Sequence, residues 1–391
     1  MLWPAPSRVR VTRRPGRAGR AAQWLVLPGA SRPRLLVPVG VRPAARMLTR
    51  HGDRPGARAV RAALAAGVRT GLLERGPVLR VVVDAAPGAP SLPGHLAPVL
   101  GDGLVLGALL GTPRVNRKPV LQVFDPAGRT VAFVKVGHDE RTRWLVRREA
   151  GVLARLDQAR LARVELPRVL HAGTFGALDV LVLSPLASSQ QQGRHGVVPP
   201  PLEAMAELAG TAGRARSPLG AGPYGERLRR LADGATTSGQ RRAAGLVRAV
   251  LERHGDEEVD LGAWHGDWAP WNMGWSDGRL QLWDWERYAE GVPVGFDLVH
   301  FLGQRVRHDR PGLRAAEQGL LAALPGLLPA LGVPAGRCRL TVLLYLLELA
   351  ARFLAPEDGS AGTGHPRARW ALDLAERLLQ AADSPARGVG A

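Results

Sequence analysis

The triplet His-Gly-Asp occurs three times in the chain, at His51, His254 and His265, so the triplet alone carries no information. Only the third continues to an asparagine five residues past its aspartate, in His265-Gly266-Asp267-Trp268-Ala269-Pro270-Trp271-Asn272. Twelve residues further on lies Asp284, at the end of the short apolar run Leu280 to Trp283. Between them, Asp277-Gly278 predicts the tight turn of a β-hairpin. A loop followed by a hairpin can bring Asp267, Asn272 and Asp284 to one cleft. Phosphoryl transfer needs this layout: one carboxylate to accept the hydroxyl proton of an acceptor, and an amide with a second carboxylate to hold Mg²⁺ on the nucleotide phosphates. Taken singly, these residues would serve as turn and cap residues; their spacing is what joins them into a motif.

Lys135 is the second constraint. Of 53 cationic residues, only Lys118 and Lys135 are lysines. Val120 to Phe124 and Thr130 to Val136 read as strands, joined by the turn Asp125-Pro126-Ala127-Gly128. Lys135 sits on a strand that is apolar on both faces, so its ammonium must reach solvent or find an anion. A compact ammonium suits phosphate oxygens. On the helix that follows, from about Glu140 to Leu156, Glu149 falls inside the stripe formed by Leu145, Val152, Leu153 and Leu156. A carboxylate placed there wants a cation. Lys135 is one candidate, and Arg141, Arg148 and Arg155 on the same helix are the others.

Composition excludes several classes. The 391 residues, 46% hydrophobic and 22% charged, fit a globular protein of two or three domains. The most apolar stretch, Leu340 to Ala355, is interrupted by Glu348 and Arg352 and reads as a buried helix, not a membrane span. Cys338 is the single cysteine, which rules out a disulfide scaffold, and a structural zinc site lacks ligands. A cytoplasmic location and no membrane partner are expected. The net charge of +19 is concentrated in residues 1–80, while residues 191–391 are neutral overall. Arg-rich runs bind nucleic acid non-specifically. This one has few aromatics for base stacking and no recognisable module, so no more than that is expected of residues 1–80. Four segments are predicted: a disordered basic leader over 1–20, an accessory α+β region over 21–97, a mainly β lobe over 98–187 and a helical lobe over 188–391. The polar run Ser188 to Gly193 marks the hinge.

With these residues in hand, the chain resembles the aminoglycoside phosphotransferase and choline-kinase-like branch of the protein-kinase-like superfamily, over about residues 98–355. His265, Asp267, Asn272 and Asp284 match its HxDxxxxN and metal-aspartate signature, Lys135 its β-lobe lysine and Glu149 its helix glutamate. Gly295-Phe296-Asp297-Leu298 is similar to the stretch in which an aspartate supports the catalytic loop. The resemblance implies an α+β, two-lobe protein-kinase-like fold and Mg²⁺-dependent phosphorylation of a small-molecule hydroxyl by ATP, with GTP as the alternative donor. It also implies roles. Asp267 would be the base, with His265 supporting the loop; Asn272 and Asp284 would hold magnesium; Lys135, Glu149 and Lys118 would serve the nucleotide.

There are departures. No G-x-G-x-x-G pattern is present, so the loop with Arg114, Asn116, Arg117 and Lys118 is only a candidate phosphate cover. Ala269 stands where protein kinases often carry a basic residue. Six of the ten tryptophans fall between Trp264 and Trp285. Trp268 and Trp271 are the candidates for touching the acceptor. A polycationic aminoglycoside would favour an acidic lobe, and the neutral C-terminal half does not offer one. The competing readings are a pseudokinase-type nucleotide-binding or regulatory module and a nucleic-acid-binding protein acting through its basic N-terminus.

Overall fold

Runs of β-branched and aliphatic residues build one nine-stranded antiparallel sheet in the N-terminal part of the chain. The structure is a computed structural model; it describes residues 2–14, 21–29, 31, 33–49, 55–86, 88–110, 118–187, 198–306, 311–355 and 365–383. The strands are β1 (Arg8–Thr12), β2 (Ala21–Leu27), β3 (Leu35–Pro38), β4 (Arg80–Asp84), β5 (Val105–Leu109), β6 (Val120–Phe124) and β7 (Thr130–Gly137). After β8 (Val164–Glu165), which belongs to the second unit, come β9 (Val169–Phe175) and β10 (Leu178–Leu183). Their order is β1-β4-β2-β3-β5-β6-β7-β10-β9. The helices of this unit are α1 (Arg46–Thr49), α2 (Pro55–Thr70), α3 (Leu72–Arg75), α4 (Leu92–Leu100) and most of α5 (Glu140–Ala159).

The sheet is covered by apolar clusters that the strand period generates. Leu121, Val123, Ala132, Val134 and Val136 pack with Leu92 and Leu96 of α4, while Leu25, Val37 and Phe124 pack with Met47, Ala65 and Val68. Alternate residues of a strand face opposite sides, so a sheet with both faces covered demands near-continuous apolar runs. That is why all six residues of β10 are buried.

Two segment expectations change. Residues 8–12, placed in a disordered leader, instead form β1, in register with β4 from Arg8↔Asp84 to Thr12↔Arg80. Arg10 bridges Asp84 at 2.7 Å. The alternation Arg-Val-Arg-Val is a strand pattern, and its exposure at a sheet edge is what made it look unstructured. The accessory region is also not a separate body: Leu35↔Leu109 and Leu36↔Ala108 join β3 to β5, so residues 98–187 continue the sheet begun by residues 8–84. Some of the N-terminal arginine is structural. Arg80 is buried and donates to the carbonyls of Arg13, Glu74, Gly76 and Val78.

The second unit holds residues 158–165 and 191–391. It is mainly helical: α6 (Leu202–Ala209), α7 (Pro223–Asp233), α8 (Ser238–His254), α9 (Phe296–Gly303), α10 (Leu313–Leu327), α11 (Cys338–Leu354) and α12 (Pro366–Asp383). Two small sheets sit among them. One runs β11 (Ala215–Pro218), β12 (Glu258–Trp264), β15 (Ala289–Pro293); the other runs β13 (Met273–Ser276), β14 (Arg279–Leu282), β8. The α8 helix starts in a capping box: the Thr237 hydroxyl accepts from the Gln240 amide N–H while the Gln240 side chain accepts from the Thr237 N–H. As expected, the Leu340 to Ala355 stretch is a buried helix, and no helix among the described residues is long and apolar enough to cross a membrane. The hinge run Ser188 to Gly193 lies outside the described residues.

Candidate active site

In the first unit, Lys135 projects from β7, between β6 (Val120↔Lys135) and β10 (Leu181↔Lys135), so it stands on a central strand. Its Nζ donates to both carboxylate oxygens of Glu149, at 2.6 and 2.7 Å. Glu149 is 0% exposed and Lys135 7%. The α5 stripe that includes Leu145, Val146, Val152, Leu153 and Leu156 carries Glu149 inward. The strand lysine, one of the two candidate sources of a cation, is thus a partner of Glu149. Two other arginines of the helix, Arg143 and Arg147, pair with Asp179 on β10. Lys118 is half-buried two residues before β6; Arg114, Asn116 and Arg117 lie outside the described residues.

In the second unit, the loop after β12 carries Asp267. Gly266 has φ +79, and a Cβ there would run into the Arg287 carbonyl oxygen, so this step between His265 and Asp267 accepts only glycine. The Asp297 carboxylate clamps the loop from α9, accepting from the His265 N–H at 2.7 Å and the Gly266 N–H at 3.1 Å. Burial pushes the Asp297 acid up to about 7, against the two backbone donors that favour its ionised form. His265 is buried, and burial lowers it to about 4, so at neutral pH it is uncharged. Its Nδ1 accepts from the Asp267 N–H at 3.2 Å, and its Nε2 lies 3.2 Å from the Trp283 carbonyl. Both ring nitrogens are thus engaged with backbone groups of the loop and the hairpin.

The hairpin does what its turn implied. Asp277 (φ 49) and Gly278 (φ 77) both take left-handed conformations, as a two-residue turn of this hand requires. The register runs from Ser276↔Arg279 to Met273↔Leu282, and the Trp283 N–H donates to the Asn272 carbonyl at 3.0 Å. Asn272 and Asp284 therefore emerge at the same end of the hairpin. Asn272 Nδ2 donates to the Asp267 carbonyl at 2.9 Å and to Asp267 Oδ2 at 3.1 Å. Asp284 takes φ +76, a conformation that costs a non-glycine residue on the order of 1 kcal/mol and that is concentrated at functional sites.

His300 was absent from the sequence reading of the site. From α9 its Nε2 lies 3.2 Å from Asp267 Oδ1, and its Nδ1 lies 3.0 Å from the Tyr345 hydroxyl of α11. Burial works against ionising Asp267. The His300 hydrogen bond and the nearby charges of His300 and Arg352 outweigh it and hold the carboxyl below its ordinary range. The Asp267 side chain keeps 34% of its exposure. Arg352 on α11 donates to the Gly266 carbonyl at 2.6 Å and lies over the Trp264 ring, so a cation reaches this loop from another helix although Ala269 supplies none. A histidine inside the apolar run Phe296-Asp297-Leu298-Val299-His300-Phe301 was the one available signal for His300; nothing local distinguished Arg352.

The tryptophans separate. Trp268 is 0% exposed and packs 6.1 Å from the His265 ring, which removes it from the candidates for touching an acceptor. Large apolar rings beside a rigid loop are core material, and its position next to Asp267 in sequence was misleading. Trp271 is 45% exposed. Trp264 and Trp285 are buried.

No family model matches the sequence, and no curated protein is significantly similar to it. Solved structures are similar in fold. A thermostable mutant of the aminoglycoside phosphotransferase APH(4)-Ia, in ternary complex with AMP-PNP and hygromycin B, matches with a TM-score of 0.50 at 17% identity, over 76% of this chain and 100% of its own. A second such mutant with the same two ligands matches with a TM-score of 0.50 at 18% identity, over the same shares. The fold is that of the aminoglycoside phosphotransferases. Choline kinase LicA from Streptococcus pneumoniae is also similar, with a TM-score of 0.47 at 14% identity over 74% of this chain and 98% of its own. The expected α+β protein-kinase-like architecture thus holds: a β-rich first unit bearing Lys135 and Glu149, and a mainly helical second unit bearing the loop and hairpin of an aminoglycoside-phosphotransferase-type fold.

Proposed function

We propose that the protein is a Mg²⁺-dependent phosphotransferase that moves the γ-phosphoryl group of ATP to a hydroxyl of a small molecule. The observation that carries this reading is the hairpin register, which sets Asn272 beside Asp267 and brings Asp284 to the same strand end. Asp267 accepts the acceptor's hydroxyl proton as the new oxygen–phosphorus bond forms and the bond to the β-phosphate oxygen breaks, releasing ADP. Its low-lying pKa keeps it ionised and able to orient the hydroxyl. Asn272 spends its amide N–H groups on Asp267, which leaves its Oδ1 for a hard cation; with the Asp284 carboxylate this is an oxygen donor set suited to magnesium. When bound, the ion neutralises charge on the phosphate oxygens. Lys135, oriented by Glu149, is assigned to the phosphates, with Lys118 as a further contact. Neighbours of the same fold were solved with AMP-PNP and hygromycin B, which supports a nucleotide donor and a small-molecule acceptor.

Calorimetry of ATP and GTP binding with and without Mg²⁺, on the wild type and Asp284→Asn, tests this reading. Binding that needs magnesium and fails in the variant is expected. Binding indifferent to both points to a pseudokinase, and no nucleotide binding at all sinks the proposed activity.

A further inference from the structure

The C-terminal helices bring one arginine to the Asp267 loop and a second to the Gln304–His300 pair that backs it. Arg352, in the last turn of α11, donates to the Gly266 carbonyl and lies over Trp264 at 5.3 Å. Arg367, in the first turn of α12, donates to Gln304 Oε1 at 3.0 Å and stands over the Phe353 ring at 5.9 Å. The Gln304 amide nitrogen is 2.6 Å from His300 Nε2, which itself faces Asp267. Both arginines act on the same two buried groups: their charges add to the effect of burial in holding His300 low, and they partly offset the effect of burial on Tyr345.

Among the described residues, neither guanidinium has a carboxylate partner within ion-pair distance. Several partly covered arginines elsewhere in the same unit do: Arg227 pairs with Glu348, Arg242 with Asp373 and Glu376, Arg337 with Glu257 and Arg377 with Glu317, while Arg339 is described on the Leu378 carbonyl. A guanidinium carries five N–H donors, and the contacts described use only one of them on each residue. Two half-buried cations left with spare donors, one at the Asp267 loop and one behind its His300 partner, form an electrostatic surplus that an oxyanion would relieve. The planar fork of arginine matches carboxylate and phosphate oxygens. A polycation brought to Asp267 would instead meet like charge.

We propose that Arg352 and Arg367 form a recognition site for an oxyanion, a carboxylate or a phosphate, carried by the acceptor whose hydroxyl Asp267 serves. This rests on the kinase reading for the word acceptor, but the anion site can be measured without it. Binding to the full chain, with and without Mg²⁺ and AMP-PNP, is measured for matched probes: gluconate against sorbitol, glucose 6-phosphate against glucose, and kanamycin as a polycation. The anionic member of at least one pair is expected to bind tighter than its neutral partner by about tenfold or more, as one charge-assisted hydrogen bond supplies. Whichever pair discriminates distinguishes a carboxylate site from a phosphate site. That preference is expected to disappear in Arg367→Gln and to be only partly restored in Arg367→Lys, with the unfolding midpoint of each variant measured alongside. Equal binding within both pairs, tighter binding of kanamycin, or no binding of any probe overturns the proposal. Anion preference without AMP-PNP binding would keep the site and fail the kinase reading.

Discussion

Asp267 is gripped at both carboxylate oxygens, Oδ1 by His300 and Oδ2 by Asn272, while its backbone N–H is tied to His265. Replacing it with alanine leaves the hairpin intact. The expected outcome for Asp267→Ala is a loss of turnover of about 10²- to 10⁴-fold, the range of a general base, with nucleotide affinity largely kept; calorimetry beside an ADP-release assay checks both. Loss of nucleotide binding in that variant would overturn the division of roles. Asp297 gives a pH signature. Its folded pKa, pushed by burial to about 7, lies above its unfolded value, so the native state binds the extra proton and stability falls as pH rises from about 4 through 7. His265, lowered by burial to about 4, acts in the opposite sense, adding stability as pH rises from 4 to 6.5. The two slopes offset each other in the wild type. Asp297→Asn removes only the first, so the variant's unfolding free energy, taken relative to wild type in urea titrations, should climb between pH 4 and 7 by up to roughly 1.4 kcal/mol per unit. A difference that is flat across this range would show that Asp297 is ionised throughout.

At the scale of elements, the strand β7 and the helix α5 are tied through one buried ion pair. Removing one partner of a buried ion pair typically costs about 3–5 kcal/mol, whereas replacing both with apolar residues is often near neutral. Lys135→Met and Glu149→Leu are each expected to destabilise strongly, and the double variant to be more stable than either. A double-mutant cycle by chemical denaturation measures this. Additive losses in the double variant would mean that the pair is not an energetic unit. The element reading from sequence succeeded where period and turn chemistry were local: β6 matches its expected bounds, β7 runs one residue past its own, and the Asp277-Gly278 turn set the hairpin register. It failed where a segment's structure depends on a distant partner. The leader strand β1 owes its form to β4, some seventy residues away, and the burial of Trp268 depends on the packing of a loop that only the fold assembles.

At the scale of the molecule, the N-terminal residues complete the sheet that carries Lys135. Among the described residues strand β1 pairs with β4 at the sheet edge, but Leu2 and Trp3 pack on the core and the Arg13 carbonyl accepts from buried Arg80, so removing residues 1–14 should lower the thermal unfolding midpoint while leaving nucleotide binding of the folded protein nearly unchanged. Starting the chain at residue 98 should not be tolerated. It would bare the edge of β5 that pairs with β3 and remove Leu92 and Leu96 from the core that also contains Val134 and Val136. The expected result is aggregation, read by soluble yield and circular dichroism. A folded 98–391 fragment would restore the accessory region to a separate body.

The sequence by itself singled out Lys135, Glu149, Asp267, Asn272 and Asp284 as the proposed set, and determined much of their local placement, because strand and helix periods and a two-residue turn are short-range devices that fix which face a side chain takes. It also determined the exclusion of a disulfide scaffold and of a buried-helix membrane span at Leu340 to Ala355. Only the tertiary structure decided that Lys135 pairs with Glu149, and that the described strands of the first eighty residues join the same sheet. Only it decided, too, that His300 and Arg352 reach the Asp267 loop and that Arg367 stands behind His300 through Gln304. Each of these depends on which residues meet across long stretches of chain, and contact at that range is set by the packing of whole elements, which no local pattern records.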